Sequence, residues 1–147
     1  MIAKAVAAFD SVQFRLSTAG HLANLADAQR RAGRLKEAAA TIQGAMGLMP
    51  DGSQWLEAEL RRVHALVAAD LAPAERDRAE AQLRDAVRCA RDYGFAVLER
   101  RCLVSLAEFL HSAGRPDATV ESRLGELSRF GDLDRRVARA MQAYSPA

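Results

Sequence analysis

The chain has 147 residues, of which half are hydrophobic and 27% are charged. This composition can form a hydrophobic core and excludes a chain that is disordered throughout. The 21 basic and 19 acidic residues are interleaved, so the formal net charge is only +2. Because the sequence has no run of five or six like charges, it lacks the simple electrostatic signature of nucleic-acid binding.

The sequence predicts no membrane span, because it has no stretch of about eighteen apolar residues. Residues Met1–Phe9 form a short apolar run that Asp10 ends, and we interpret this segment as an amphipathic helix rather than a signal peptide. Cys89 and Cys102 lie in alanine- and leucine-rich stretches and are predicted to be buried thiols, although a disulfide between neighbouring helices is an alternative. Together these features predict a cytoplasmic protein.

Glycine and proline divide the sequence into segments of helical length. Within these segments apolar residues recur three and four positions apart, which is the period of an amphipathic helix. No segment shows the period-two alternation of a strand. Gly33 and Gly94 are predicted to follow helix ends in the left-handed conformation, and Pro73 and Pro116 to lie in first turns. The predicted helices span residues 2–14, 17–32, 35–48, 53–71, 73–93, 95–113, 116–130 and 132–143.

Short links between these segments predict antiparallel helical hairpins, and the hairpins repeat. The sequence LANLA at residues 22–26, with AGR at 32–34, returns as LVSLA at 103–107 with AGR at 113–115. A middle copy near half this offset aligns Ile42 with Leu83. A two-helix unit that recurs about every 40 residues is typical of a helical solenoid.

The first full copy resembles a tetratricopeptide repeat (TPR). That family's pattern of large and small residues falls at matching intervals on Leu22, Leu25, Ala26, Gly33, Ala38, Ile42, Ala45 and Pro50. Small side chains at Ala26, Ala38 and Ala45 would let paired helices approach closely. The resemblance implies an all-α, TPR-like superhelix of about three antiparallel hairpins, in one domain over residues 1–147. The later copies depart from the pattern, since the second lacks the mid-repeat glycine.

A broader resemblance covers nearly the whole chain. Residues 22–45 (LANLADAQRRAGRLKEAAATIQGA), Trp55–Leu60 and the stretch from Ala107 to Arg115 are similar to the carboxy-terminal helical repeats of bacterial signalling ATPases. Those proteins join a nucleotide-binding module to a winged-helix or an adenylate cyclase output domain. The resemblance implies a fragment of a larger regulator, with ATPase and output domains elsewhere in the same polypeptide. The present chain has no GxxxxGK[ST] phosphate loop, so ATP binding does not carry over to it.

The amino-terminal segment Ile2–Phe14 is predicted to be the second helix of a hairpin whose first helix is missing. Such a half-repeat would leave an apolar stripe uncovered. We therefore expect Val6, Phe9 and Val12 to pack against a partner chain, a swapped helix or a preceding part of a longer protein. A homodimer through this helix is one such arrangement.

The resemblance to TPR stacks implies that the first helix of each hairpin lines a partner-binding groove. Arginine can donate two hydrogen bonds to one carboxylate, so an acidic peptide is a reasonable ligand, and a solvated face without a ligand is the alternative. Spacing assigns these candidate residues to the groove: Asp27, Arg30, Arg31, Arg61, His64, Arg101, Glu108 and His111.

No motif for catalysis, cofactor binding or metal binding occurs in the sequence. His21, His64 and His111 lack the i, i+3 or i, i+4 spacing of paired ligands, so we expect neither a metal nor a cofactor, and no enzyme. The leading hypothesis is a protein-interaction or sensory module of a bacterial regulator. The alternatives are a stand-alone adaptor or scaffold and, less favoured, a helical repeat that binds nucleic acid through its arginines.

Overall fold

A computed structural model of the chain describes residues 2–49 and 54–129, without the side chains of residues 2–10, 12, 54 and 55. All secondary structure in these ranges is helical, which confirms the predicted all-α class there. The helices are α1 (Ile2–Arg31), α2 (Leu35–Gly47), α3 (Gln54–Leu71), a 3₁₀ turn (Pro73–Glu75), α4 (Arg76–Asp92), α5 (Ala96–Ser112) and α6, which covers residues 118–129.

Helix α1 is continuous over 30 residues, so the predicted division into helices 2–14 and 17–32 is wrong. Ser and Thr residues often lie at helix ends, but the segment that contains Ser17 and Thr18 is helical here. The Thr18 hydroxyl donates to the Phe14 carbonyl oxygen at 2.8 Å, and the bond stays within one turn of the helix. The segment predicted as a separate half-repeat is therefore the amino-terminal part of the first hairpin's own first helix. The side chains of Val6, Phe9 and Val12, for which we predicted a partner, lie outside the described residues.

Three helices end with the same glycine turn. Gly33, Gly94 and Gly114 have φ values of +75°, +73° and +67°. In each case the amide after the glycine donates to a carbonyl five residues earlier, as from Arg34 to Gln29 at 2.9 Å. This is the Schellman arrangement, which favours glycine because a side chain at positive φ is strained. The repeat seen in the sequence therefore reappears as identical turns after α1 and α5.

Pro73 and Pro116 lie at different positions relative to the helices that follow them. Pro73 begins the 3₁₀ turn, close to its predicted place in a first turn. Pro116 was also predicted in a first turn, but α6 begins two residues later. Asp117 caps α6, because its Oδ1 accepts hydrogen bonds from the amides of Thr119 at 2.9 Å and Val120 at 3.3 Å. An aspartate in this position satisfies amides that have no partner within the helix.

Helix α3 lies at the centre of the fold and contributes to two hydrophobic cores. One core joins α1, α2 and α3, and the other joins α3 to α4, α5 and α6. Ala26, Ala38 and Ala45 are completely buried in the first core, as close packing of paired helices requires. Leu25, by contrast, is 47% exposed although the repeat pattern predicts it in the core.

The odd-numbered helices form a row in which α3 contacts both α1 and α5, whereas α1 and α5 do not contact each other. Among the described helices, α2 and α4 also remain apart. The hairpins therefore meet through α3, and a gap is left between α1 and α5. In the described part of the chain, none of these helices is long and apolar enough to cross a membrane.

Candidate functional site

An open cleft of about 670 Å³ fills the gap between α1 and α5. We call it the α1–α5 cleft. Its floor is the first part of α3, and its far wall is the first turn of α5 with the residues before it. The lining residues are Leu16, Ser17, Gly20, His21, Asn24, Leu56, Glu59, Gly94, Phe95, Ala96, Val97, Leu98 and Arg101.

The walls of the cleft expose apolar side chains to solvent. Val97 is 86% exposed and Phe95 is 42% exposed, although both are hydrophobic. On the opposite wall, Gly20 has no side chain, so the cleft reaches down to Leu56; a Cβ at Gly20 would lie 3.8 Å from Leu56 Cδ1. Exposed apolar groups around a concave surface are typical of an interaction site.

The polar end of the cleft rests on a buried ionic cluster. Arg62 is 2% exposed and forms a bidentate pair with Glu59 on the same helix, at 2.9 Å and 2.8 Å. It also donates to Ser105 on α5 at 3.1 Å and lies 3.7 Å from Asp27 on α1. One guanidinium group thus connects all three odd-numbered helices. Together with the pairs described next, we call this group the Arg62 cluster: Asp27, Arg30, Arg31, Glu59, Arg62, Asp70 and Arg101.

The outer members of the Arg62 cluster pair around this centre. Arg30 donates to Asp27 at 3.1 Å and to Asp70 at 2.8 Å, and Arg31 donates to Asp27 at 3.1 Å. Burial alone would raise the pKa of Asp27, but the nearby guanidinium groups, first that of Arg62, lower it below its usual value. Burial likewise acts to lower the pKa of Arg62, and its carboxylate partners raise it. Both groups are therefore charged at neutral pH.

Arg101 lies between the cluster and the cleft. Its Nη2 atom is 3.2 Å from Glu59 Oε1, and its side chain is 49% exposed. Its Nη2 atom approaches a Glu59 oxygen that already accepts a hydrogen bond from Arg62, and its half-exposed side chain lines the cleft. It is the most exposed charged side chain of the cleft lining, in which Glu59 is the only carboxylate among the described residues.

Only part of the sequence-predicted groove is brought together. Arg101 lines the cleft as predicted. Glu108 is exposed and lies seven residues further along α5, on the same helix face as Arg101. Asp27, Arg30 and Arg31 do not line the cleft, contrary to the prediction. Asp27 is buried against Arg62, Arg30 pairs with the partly exposed Asp70 on α3, and the side chain of Arg31 is 70% exposed.

Arg61 and His64 do not lie in the α1–α5 cleft. They line a separate depression on another side of α3, together with Met46, Met49 and Gln82. Arg61 pairs with Glu57, and His64 lies 3.3 Å from Gln82 on α4.

The prediction therefore chose the wrong face of α3 for the groove. The reason is that α3 is buried on most of its circumference, so its polar residues do not mark one solvent-exposed face. His111 is also turned away from the cleft, since its Nε2 lies 2.7 Å from Glu121 on α6.

A second buried charge lies at the outer side of α5. Glu99 is 3% exposed and accepts hydrogen bonds from Arg91 on α4 at 2.8 Å and from Arg123 on α6 at 2.8 Å and 3.1 Å. Burial acts to raise the pKa of Glu99, but the two arginines, Arg123 before Arg91, lower it below its usual value. We call these three residues the Glu99 cluster.

The residues that sequence reasoning missed are Gly20, Val97 and Arg62. A signal for the cleft wall was present, because four consecutive apolar residues, 95–98, cannot all face inward at the start of a helix. No local signal identified Arg62, whose partners come from two other helices. Among the described side chains, no three His, Cys, Asp or Glu residues gather as a metal site would require.

No disulfide joins Cys89 and Cys102, of which Cys102 is buried and Cys89 is partly buried. Burial, and then the nearby Glu59, raises the pKa of Cys102 to about 12.

The comparisons with known proteins identify no relative: no family model, curated protein or solved structure matches the chain.

Proposed function

We propose that the chain is a protein-interaction module that binds a segment of a partner protein in the α1–α5 cleft. The observation that carries this proposal is the exposure of Val97 and Phe95 on a concave, otherwise apolar wall. Covering such side chains removes apolar surface from water, which drives association. The polar groups at the Arg101 end would give the bound segment its orientation.

We further propose that the fold is a TPR-like stack within a larger bacterial signalling or transcriptional regulator. The repeated glycine turns, the buried alanines at the repeat positions and the row of odd-numbered helices support a TPR-like stack. The resemblance of residues 22–45 to the repeats of bacterial signalling ATPases supports the regulator. In this role the module would transmit the effect of partner binding to ATPase and output domains of the same polypeptide.

Sequencing the gene upstream of the codon for Met1 tests the regulator proposal, because a nucleotide-binding module is expected there. A complete, separate reading frame would favour a stand-alone adaptor.

The nucleic-acid alternative is less well supported by the arginines. It requires a continuous stripe of arginines available to phosphate groups. Instead, each of the six arginines that would form such a stripe has a carboxylate partner within the chain: Arg30, Arg31, Arg61, Arg84, Arg88 and Arg101. Arg61 and Arg101 also lie on different sides of α3.

The binding role can be tested with a displayed library of random peptides of about 16 residues, roughly 24 Å of helix. Peptides selected on the wild-type protein should lose binding to Val97→Glu, which places a charge on the apolar wall. They should also lose binding to Gly20→Leu, which fills the cleft without removing a contact. Arg34→Ala, at the α1–α2 turn, is the matched control. Selected peptides that bind all four proteins equally would show that the cleft is not the binding surface.

A further inference from the structure

We infer that the preferred occupant of the α1–α5 cleft is an α-helix that places one carboxylate against Arg101. This inference rests on the proposed function, since it names the partner chemistry of the same site. In this inference Arg101 determines specificity, because it recognises the carboxylate of the partner. This role is separate from its ion pair with Glu59.

The first step concerns shape. Helices that pack together have axes about 8–10 Å apart. Because α1 and α5 both contact α3 but not each other, their axes are separated by up to about 20 Å, two such spacings. A helix with its side chains is about 10 Å across. The open cleft above α3, between α1 and α5, is therefore where one additional helix would pack, and Gly20 on one wall allows a close approach.

The second step concerns charge. The Arg62 cluster contains four guanidinium groups, those of Arg30, Arg31, Arg62 and Arg101, but only three carboxylates. One positive charge is therefore left without a matching negative charge. Arg101 shares its carboxylate, Glu59, with the closer Arg62. Of the four arginines of the cluster, Arg101 is the one that lines the cleft, so a bound partner can reach it.

The third step combines the two. A partner carboxylate near Arg101 would neutralise the excess charge and would accept two hydrogen bonds from the free part of the guanidinium group. Apolar side chains on the same partner helix would cover Phe95 and Val97, which lie beside Arg101 in the cleft. The occupant is thus an amphipathic helix with an apolar face and an Asp or Glu at one edge of it.

The peptide library described above tests this inference when the selection is repeated on Arg101→Glu. On the wild-type protein, selected peptides should carry apolar residues three and four positions apart and an excess of Asp or Glu. On Arg101→Glu the acidic excess should change to Lys or Arg. Arg61→Glu, the matched control on another side of α3, should return the wild-type preference.

Affinity gives a second readout. For the best acidic peptide, changing its acid to the matching amide should weaken the Kd about tenfold for the wild-type protein. The same change should have little effect for Arg101→Met, which keeps much of the side chain's bulk. Circular dichroism should show that Arg101→Met remains folded, because Arg62 still pairs with Glu59.

The outcomes separate this inference from the proposed function. Peptides that need Val97 but show no acidic preference would overturn the role of Arg101 and leave the proposed function standing. Selected peptides rich in proline would overturn the helical occupant. A dimer of the chain that Val97→Glu dissociates, and that excludes peptides, would assign the cleft to a second copy and also overturn the inference. If none of the selected peptides depended on Val97 for binding, both proposals would be overturned.

Discussion

The Arg62 cluster and the Glu99 cluster both hold a buried charge between helices, but they are built in opposite ways. Arg62 is a buried cation whose main partners, Glu59 and Asp27, are themselves buried. Glu99 is a buried anion whose partners, Arg91 and Arg123, have side chains 48% and 34% exposed. A long arginine can keep its guanidinium group near water while it reaches a buried carboxylate.

The difference shows which cluster the fold depends on more. If Arg62 is lost, the buried Glu59 loses its bidentate partner and keeps only Arg101 at 3.2 Å, while Asp27 keeps Arg30 and Arg31. If Glu99 is lost, two arginines remain that can turn towards water. An unpaired buried charge is far more costly than an unpaired exposed one, so the inner cluster should matter more for stability.

The largest effect is expected for Arg62→Met. This change should lower the free energy of unfolding by about 3 kcal/mol, because it leaves the buried Glu59 with only the half-exposed Arg101 and removes the cation that joins Glu59 to Asp27. Urea unfolding followed by circular dichroism measures it. Arg61→Met is the matched control, since the neighbouring Arg61 forms a half-exposed pair with Glu57 and should cost under about 1 kcal/mol. Equal losses for the two variants would contradict the comparison.

Cys102 offers a second readout of the same change. It is fully buried in the α3–α5 contact, and its raised pKa of about 12 leaves little reactive thiolate at neutral pH. A thiol reagent should therefore label Cys102 in the wild-type protein only when that contact opens, and label it faster in Arg62→Met. An unchanged labelling rate would indicate that Arg62 does not hold α3 to α5.

A smaller loss is expected for Glu99→Gln, about 1–3 kcal/mol. The amide keeps the shape of the side chain, but it accepts weaker hydrogen bonds, removes the counter-charge of Arg91 and leaves Arg123 with Glu126 alone. The same unfolding measurement applies. A loss as large as that of Arg62→Met would show that exposed partners do not reduce the cost of removing a buried charge.

The pH dependence of stability gives a second test of the Glu99 cluster. Because the pKa of Glu99 is lower in the folded chain than its usual value of 4.5, the unfolded chain binds its proton first. The contribution of Glu99 to stability is therefore complete above about pH 5 and is lost as the pH falls through the folded pKa. Glu99→Gln should show a shallower loss of stability between pH 6 and the acid limit than the wild-type protein. Parallel curves would contradict this linkage.

The smallest effect is expected for an exposed pair. Arg34 and Glu37 form an ion pair at the start of α2 in which both side chains are more than half exposed. Solvent and salt screen such pairs, so Arg34→Ala should leave the melting temperature unchanged within error. A clear drop would mean that exposure is a poor guide to the importance of ion pairs in this fold.

The sequence predicted most of the helices because their periodicity and their ends are local properties. In α4, apolar residues recur three and four positions apart, and all five of them are buried: Ala79, Leu83, Ala86, Val87 and Ala90. The predicted break in α1 failed because a hydroxyl that can end a helix can also bond within it.

The candidate site was harder to predict because it depends on contacts between helices. On α3, Glu59 and Arg62 are buried while Arg61 lies between them and faces away. Period-3.6 reasoning assumes one polar face, and a helix that packs against neighbours on several sides violates that assumption. The cleft itself results from the separation of α1 and α5, which no single segment encodes.

The continuity of α1 has a mechanical consequence. At about 1.5 Å per residue the helix is roughly 45 Å long, whereas α2, with 13 residues, spans roughly 20 Å. A stiff rod that extends beyond the shorter helix packed against it can act as a lever. Tilting its amino-terminal end would swing the wall formed by Ser17, Gly20 and Asn24 and pull Asp27 against Arg62, so the width of the cleft and the inner salt bridges would change together.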